Sequence, residues 1–248
     1  MENKIKISYL GPEGTFTEEA LIKYLKSSIP DKNKKENYKE EEIEKISLMT
    51  IPEVIKSVDR GDAVKGIIPI ENSIEGSVNL TQDIITFESE VKIIAEITIP
   101  ISHHLIGKKG TKINQIKKII SHPHATSQCR IYLSNNFPGC EIIAANSTAE
   151  AVKKILDENN FSAAVGTKIA ANIYGLEILA SDIEDNKDNK TRFVIVGNHI
   201  AKRTGHDKTS IVCFLKKDKP GSLFNILKEF AERDINLTRL ESRPAKKD

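Results

Sequence analysis

The chain has no hydrophobic run long enough to cross a bilayer, and its opening, "MENKIKISYL", does not read as a secretory signal. Neither membrane insertion nor export is expected. Cysteine is scarce. Cys129, Cys140 and Cys213 are scattered, odd in number and form no Cys-x-x-Cys pair, so neither a zinc site nor a disulfide framework is indicated. A reducing cytoplasm is the expected setting. Charge bias is also missing: 37 Lys and Arg face 35 Asp and Glu, a net charge of +2 with no sustained basic stripe, which gives no reason to expect nucleic acid as a partner. Without an export signal, Asn-x-Ser/Thr triplets such as Asn189-Lys190-Thr191 read as chance. No Walker loop, GxGxxG fingerprint or GxSxG elbow occurs, which argues against nucleotide cofactors and serine-hydrolase chemistry.

What is present is a repeated grammar of strand, polar turn and helix. The 248 residues are enough for a sizeable core in one large or two modest domains. "IKISYLG" reads as a strand, and "FTEEALIKYLKSS" as a helix with Phe16, Ala20, Leu21, Tyr24 and Leu25 at helical spacing, capped by Thr15 or Thr17. "DKNKKENYKEEEIEK" buries little and is expected to be a loop or a solvated helix end. "TIPEVIKSVDRGD" is a short helix with Pro52 in its first turn and Gly61 past its end. "VKGIIPIENS" is a strand breaking into a polar turn, followed by a helix over "GSVNLTQDIITFE" and one or two strands in "VKIIAEITIPISHHLIG". The second half repeats the pattern. This alternation predicts α/β layers with largely parallel sheets, whose ligands bind at the carboxyl ends of strands. After "AKRTGHD" the pattern changes to strand, loop, helix, strand: a separate, smaller unit.

Five polar turns therefore matter: "GPEGTFT", "PIENSIEGSV", "SHPHATSQC", "NSTAEA" and "NKTRF". Each alone reads as ordinary capping by Ser, Thr and Asn. Together at strand ends they point to a shared cleft. Glu71, Asn72 and Ser73 either end a strand in a turn or present a carboxylate, an amide and a hydroxyl to that cleft. His122 and His124 flank Pro123, but a metal site needs three or four ligands and no third is obvious, so no metal is expected. His103 and His104 close a strand pattern and suit a core or hinge role.

With these turns in order, the chain closely resembles the prephenate dehydratase family along nearly its whole length. "GPEGTFTEEA", "GIIPIENSIEGSV", "SHPHATSQC", "NSTAEAV", "AANIYGLEILASDIEDNKDNKTRFVIVG" and "KPGSLFNILKEFAERDINLTRLESRP" carry the resemblance, "PIENS" with "NKTRF" most specifically. It implies a catalytic domain over residues 1–202, built of two α/β lobes similar to type II periplasmic binding proteins, with the second lobe at roughly 98–178. It also implies a regulatory module of the ACT type, a ferredoxin-like α+β fold, over 207–248. The implied reaction turns prephenate into phenylpyruvate, water and carbon dioxide in phenylalanine biosynthesis, with no redox cofactor, metal or covalent intermediate.

The resemblance makes Thr191 the expected donor to the departing hydroxyl. Arg192 either holds a substrate carboxylate or pairs with an acid across the lobes. Phe193 fixes the loop by packing. Asn72, Ser73, Ser147, Thr148 and Thr15 are the expected polar lining, with Glu71 orienting them. His124 stands where the family usually has Gln, and activity is expected to fall as pH rises through its titration if it lines the cleft. Gly221, Ser222, Leu223, Asn236, Leu237, Glu241, Ser242, Arg243 and Pro244 fall in the phenylalanine-binding segments, which in the family lie at a dimer interface. A homo-oligomer, dimer or tetramer, is implied. The module normally holds two β-α-β units. Here about one is present, which suggests a truncated module or one completed by a partner, with a sheet edge uncovered. Arogenate dehydratase shares these motifs, and a catalytically silent sensor on the same scaffold is the alternative from another class.

Overall fold

A computed structural model describes residues 4–28, 42–215 and 219–244. The chain divides into two compact units, Met1–Arg203 and Thr204–Asp248.

The first unit opens with β1 (Ile5–Leu10), α1 (Phe16–Ser28), β2 (Ile43–Leu48), α2 (Ile51–Asp59), β3 (Lys65–Asn72), the short β4 (Gly76–Ser77), α3 (Asn79–Phe87) and β5 (Lys92–Pro100). The next stretch is β6 (His104–Gly107), β7 (Lys118–Ser121), α4 (Pro123–Gln128), α5 (Arg130–Asn136), β8 (Glu141–Ala144), α6 (Thr148–Lys154), β9 (Ser162–Gly166), α7 (Lys168–Ile173) and β10 (Glu177–Ala180). Finally β11 (Lys190–Gly197) returns to the first sheet. Most of the charge-rich stretch, residues 31–41, lies outside the described residues. Its end, expected to be loop or solvated helix, is instead the start of β2. There "IEKISL" pairs in parallel with β1 at the sheet's edge, where alternate side chains face water.

Two sheets result, of order β2-β1-β3-β11-β5 and β8-β7-β9-β6-β10. Each is three strands of its own lobe, then a strand that has just crossed from the other lobe, then a last strand. The crossing strand runs antiparallel to both neighbours: β11 to β3 and β5, β6 to β9 and β10. This shared order is the two-lobed arrangement the resemblance implies. The crossovers bond to each other, Ile101 N to Asn189 O at 2.9 Å and Ile183 N to His103 O at 2.9 Å. The lobe limits shift from roughly 98–178, because β5 belongs to the first sheet through Pro100 and β10 to the second through Ala180.

Each sheet is covered on both faces. In the first lobe, Ile51, Val54, Ile55 and Val58 of α2 pack on Ile68, Ile70, Val194 and Val196. Ala20, Leu21 and Leu25 of α1 pack on Ile7, Tyr9, Ile67, Phe193 and Ile195 on the opposite face. The α2 helix starts where expected, through a capping box between Thr50 and Glu53. The α1 helix does not start at a threonine cap. Thr15 Oγ1 donates to Leu10 O at 3.2 Å, and Glu18 Oε2, inside the helix, takes Gly14 N at 2.8 Å. In the second lobe, Leu133 of α5 and Phe137 just past its end cover one face, and the alanines of α6 and α7 cover the other closely. No helix among the described residues is long and apolar enough to cross a membrane.

In the second unit, α8 (Ser222–Ala231) follows Gly221, which at φ 86° adopts a left-handed turn. The flanking segments 209–215 and 235–244, expected to be strands, join no ladder among the described residues. A strand is held by its neighbours' backbone groups, and in a split β-α-β arrangement the two strands of one unit are separated by a third. Ile211, Phe214, Leu223, Phe224 and Leu240 are exposed.

Candidate active site

The sheet topology gathers the polar turns. In the first lobe the carboxyl ends of β1 and β3 lead into "GPEGTFT" and "PIENS". Because β11 is antiparallel, its first residues, not its last, lie at that same edge: Thr191 is opposite Asn72, and Lys190 is opposite Pro100. In the second lobe the carboxyl ends of β7, β8 and β9 lead into "SHPH", "NST" and Thr167, and the start of the antiparallel β6 places His103 and His104 beside them. The ends of both sheets meet across the lobes at several points.

Thr191 is 8% exposed, and its Oγ1 accepts from Asn72 Nδ2 at 2.8 Å. Among the described residues nothing accepts the Thr191 hydroxyl hydrogen, so it is available to a ligand. The Asn72 amide is fully committed. Its Oδ1 accepts from Ile74 N at 2.9 Å and Glu75 N at 3.0 Å, while its Nδ2 also donates to Asn189 Oδ1 at 2.8 Å. An amide has two donor and two acceptor positions, and all four are used. Asn72, expected to line the cleft, holds the turn and Thr191. Ser73 is engaged in the same turn: its hydroxyl accepts from Lys190 N at 2.9 Å and donates to Asn189 Oδ1 at 3.4 Å.

Arg192 projects to the other face of the sheet, where its Nη2 meets Glu71 Oε2 at 2.9 Å and its Nη1 meets Glu96 Oε2 at 3.0 Å. Both acids lie on the strands flanking β11, so the pairing is within one lobe rather than across two. Glu71, expected to orient the cleft hydroxyls, pairs with Arg192. Phe193 is 2% exposed in the α1-side core and is packing. Thr15 closes its own loop. Ser147 caps α6 by accepting from Glu150 N at 3.0 Å, and Thr148 is half-buried beside it.

His124 Nδ1 lies 2.7 Å from Glu75 Oε1, and the same oxygen accepts from Gln128 Nε2 at 3.1 Å. This links the second lobe to the "ENSIE" turn of the first. Among the described residues no group of three or more His, Cys, Asp or Glu gathers as a metal site, around the His122–His124 pair or elsewhere.

Other groups escaped the reading of residue types. Gln128 Oε1 receives both Asn189 Nδ2 at 3.1 Å and the His103 ring Nε2 at 3.0 Å. Thr167 Oγ1 donates to Gly14 O at 2.5 Å across the lobes, and the ring of Phe16 meets that of His103 edge-on at 5.4 Å. Gln128 and Asn189 lie inside motifs already singled out, and Thr167 begins a turn of the same strand–hydroxyl–helix type, but only the fold pairs them. Burial holds the pKa values of His103 and His104 below the usual imidazole range, so both are neutral near pH 7. Burial, then Glu184 and Asp185, push the Cys129 thiol up to about 12, which leaves it inert as a nucleophile.

Two lobes joined by paired crossovers, with every polar turn at their facing edges, define a cleft-binding α/β enzyme scaffold. The family model for prephenate dehydratase matches residues 7–201. The chain is 43% identical over 244 residues to prephenate dehydratase of Methanocaldococcus jannaschii, covering 97% of this chain and 83% of that protein. It is 41% identical over 247 residues to the bifunctional chorismate mutase/prephenate dehydratase of Aquifex aeolicus, spanning 100% of this chain but only 63% of that relative. Among solved structures, prephenate dehydratase from Arthrobacter aurescens in complex with L-Phe superposes with a TM-score of 0.84 at 36% identity, covering 97% of this chain and 77% of that one. The chain belongs to the prephenate dehydratase family.

Proposed function

We propose that this chain converts prephenate to phenylpyruvate, and that Thr191 is its hydrogen-bond donor to the leaving group. The ring carboxylate departs as carbon dioxide and its bonding electrons enter the ring. The ring hydroxyl leaves with its electron pair, takes a proton and becomes water. Aromatisation drives the step, so the protein needs only to position the dianion and to offer a donor where charge develops. The observation that carries this reading is the Asn72–Thr191 hydrogen bond. A hydroxyl oxygen that accepts is polarised, and its own hydrogen is left for the substrate. Ser147 and Thr148 remain as hydroxyl donors to a carboxylate, and Arg192 offsets the charge of Glu71 so that it does not repel the dianion.

We take the second unit as a partial ACT-type module that binds phenylalanine and takes part in a homo-oligomer. Support comes from the L-Phe complex of the Arthrobacter relative and the exposed apolar side chains around α8. The cytoplasm is the proposed setting, in keeping with three free thiols.

The test is phenylpyruvate formation from prephenate, run beside arogenate and with and without phenylalanine. Thr191→Ala is expected to lower kcat by about 10²–10³-fold. Near-normal turnover by that variant would remove Thr191 from the chemistry, and no turnover of prephenate by the parent chain would refute the function itself.

A further inference from the structure

Between the lobes runs a continuous line of side-chain amides. Glu75 Oε1 accepts from Gln128 Nε2 at 3.1 Å; Gln128 Oε1 accepts from Asn189 Nδ2 at 3.1 Å; Asn189 Oδ1 accepts from Asn72 Nδ2 at 2.8 Å; and Asn72 Nδ2 donates on to Thr191 Oγ1 at 2.8 Å. The orientation of each amide follows from its neighbours. Glu75 is a carboxylate and only accepts, so Gln128 must turn its nitrogen toward it and its oxygen toward Asn189. Asn189 must then present nitrogen to Gln128 and oxygen to Asn72. At the far end, Ile74 N and Glu75 N hold the Asn72 oxygen from the other side. His103 is held in the tautomer that donates from Nε2 to Gln128 Oε1. Its other ring nitrogen, Nδ1, is buried with no partner.

We infer that Asn189 is a positioning residue that sets the direction of the Thr191 hydroxyl, and that it does so through the docked second lobe. Asn189 is 1% exposed and sits on the crossover that returns to β11, two residues before Thr191. Its oxygen receives groups of the first lobe and its nitrogen is held by Gln128 of the second. When the lobes are together, the line is complete and the Thr191 hydrogen faces the cleft. When Gln128 withdraws, the Asn189 nitrogen loses its acceptor and the amide is held by its oxygen alone, from Asn72 and Ser73, so the Asn72 nitrogen that reaches Thr191 is less firmly placed. Closure of the cleft and readiness of the donor are thereby one event. This inference rests on the reading of Thr191 as the donor.

The line of amides can be reversed at one point and mended at another. In Asn189→Asp the new carboxylate still accepts from Asn72 but opposes the Gln128 oxygen. Gln128 cannot rotate to relieve this, because its oxygen would then meet the Glu75 carboxylate. In the double variant with Glu75→Gln it can rotate. Gln128 then donates to the aspartate and accepts from the new amide, and His103 moves its hydrogen to the unpartnered Nδ1.

The experiment is steady-state kinetics on prephenate for the parent, Asn189→Asp, Glu75→Gln and the double variant, with thermal unfolding of each. Asn189→Asp is expected to lose about 10–100-fold in kcat with KM within about threefold. Addition of Glu75→Gln is expected to recover about threefold or more of that loss. A merely structural asparagine would show both the loss and its repair in the unfolding midpoint, with kcat unmoved. An Asn189→Asp enzyme within twofold of the parent overturns the inference, and so does a loss that Glu75→Gln fails to recover. Either result, on a parent that turns over prephenate and is disabled by Thr191→Ala, leaves the proposed function standing. A parent without turnover, or unaffected by Thr191→Ala, would defeat that reading first.

Discussion

Arg192 shows how far a residue's neighbours decide its meaning. Beside Thr191 in the chain, it reads equally as a clamp for a substrate carboxylate or as half of an ion pair. Strand alternation sends it to the face opposite Thr191, between Glu71 and Glu96. Its removal would leave two half-buried carboxylates side by side. Arg192→Leu is accordingly expected to cost about 1–3 kcal/mol of stability, seen as a lower urea midpoint, with KM for prephenate changed little. A KM raised tenfold at unchanged stability would return Arg192 to the substrate. Residue type pointed to the polar turns that hold Thr191, Asn72 and Ser147, because hydroxyls and amides at strand ends are visible in a string of letters, and the family resemblance singled out the residues within them. It did not show that Asn72 has no hydrogen-bonding capacity to spare. Its partners include Asn189, more than a hundred positions away along the chain.

At the level of elements, periodicity located nearly every helix and strand of the first unit. It missed β2, whose Glu44 and Lys45 look like the tail of a charged run but are exposed residues on opposite faces of an edge strand, Lys45 pairing with the buried Glu18 at 2.7 Å. It overreached for the second unit, where apolar alternation exists without a neighbouring strand to bond. The contact between "GPEGTFT" and the second lobe was also invisible, because it depends on small residues meeting. Gly14 has φ 86°, and a β-carbon there would lie 2.8 Å from Ala170 Cβ and 3.4 Å from Ala149 Cβ. Gly14→Ala should therefore cost more than the roughly 1–2 kcal/mol of left-handed strain, and it should lower turnover by holding the lobes apart. Gly61→Ala is the control, since Gly61 has φ 77° but nothing within 4 Å. Equal losses of stability at the two positions, with turnover kept in both, would show that the Gly14 contact does not matter.

For the whole molecule, the buried histidines near the crossovers tie stability to pH. His103 and His104 have pKa values lowered by burial, so the folded chain resists protons that the unfolded chain accepts at about pH 6.5. Their contribution is present above that pH and is lost as pH falls through the lowered values. Stability should be flat between about pH 7 and 8 and then decline by up to about 1.4 kcal/mol per pH unit for each histidine. Urea midpoints measured as pH falls below about 6.5 should show a shallower decline in His103→Gln. The same slope in parent and variant would clear His103 of the effect.

The position of β11 has one more consequence, for the order in which the chain acquires its shape. β3 and β5 are finished by residue 100, yet the strand that lies between them is supplied by Lys190–Gly197. All five strands of the second lobe are made in the interval, from His104 to Ala180. On a ribosome the second lobe can therefore mature as a unit, while the first waits with two unsatisfied edges and an open slot between them. The lobe begun first is the last to close, and the segment that closes it is the one carrying Thr191. A nascent chain cannot acquire its chemistry before its first sheet is sealed.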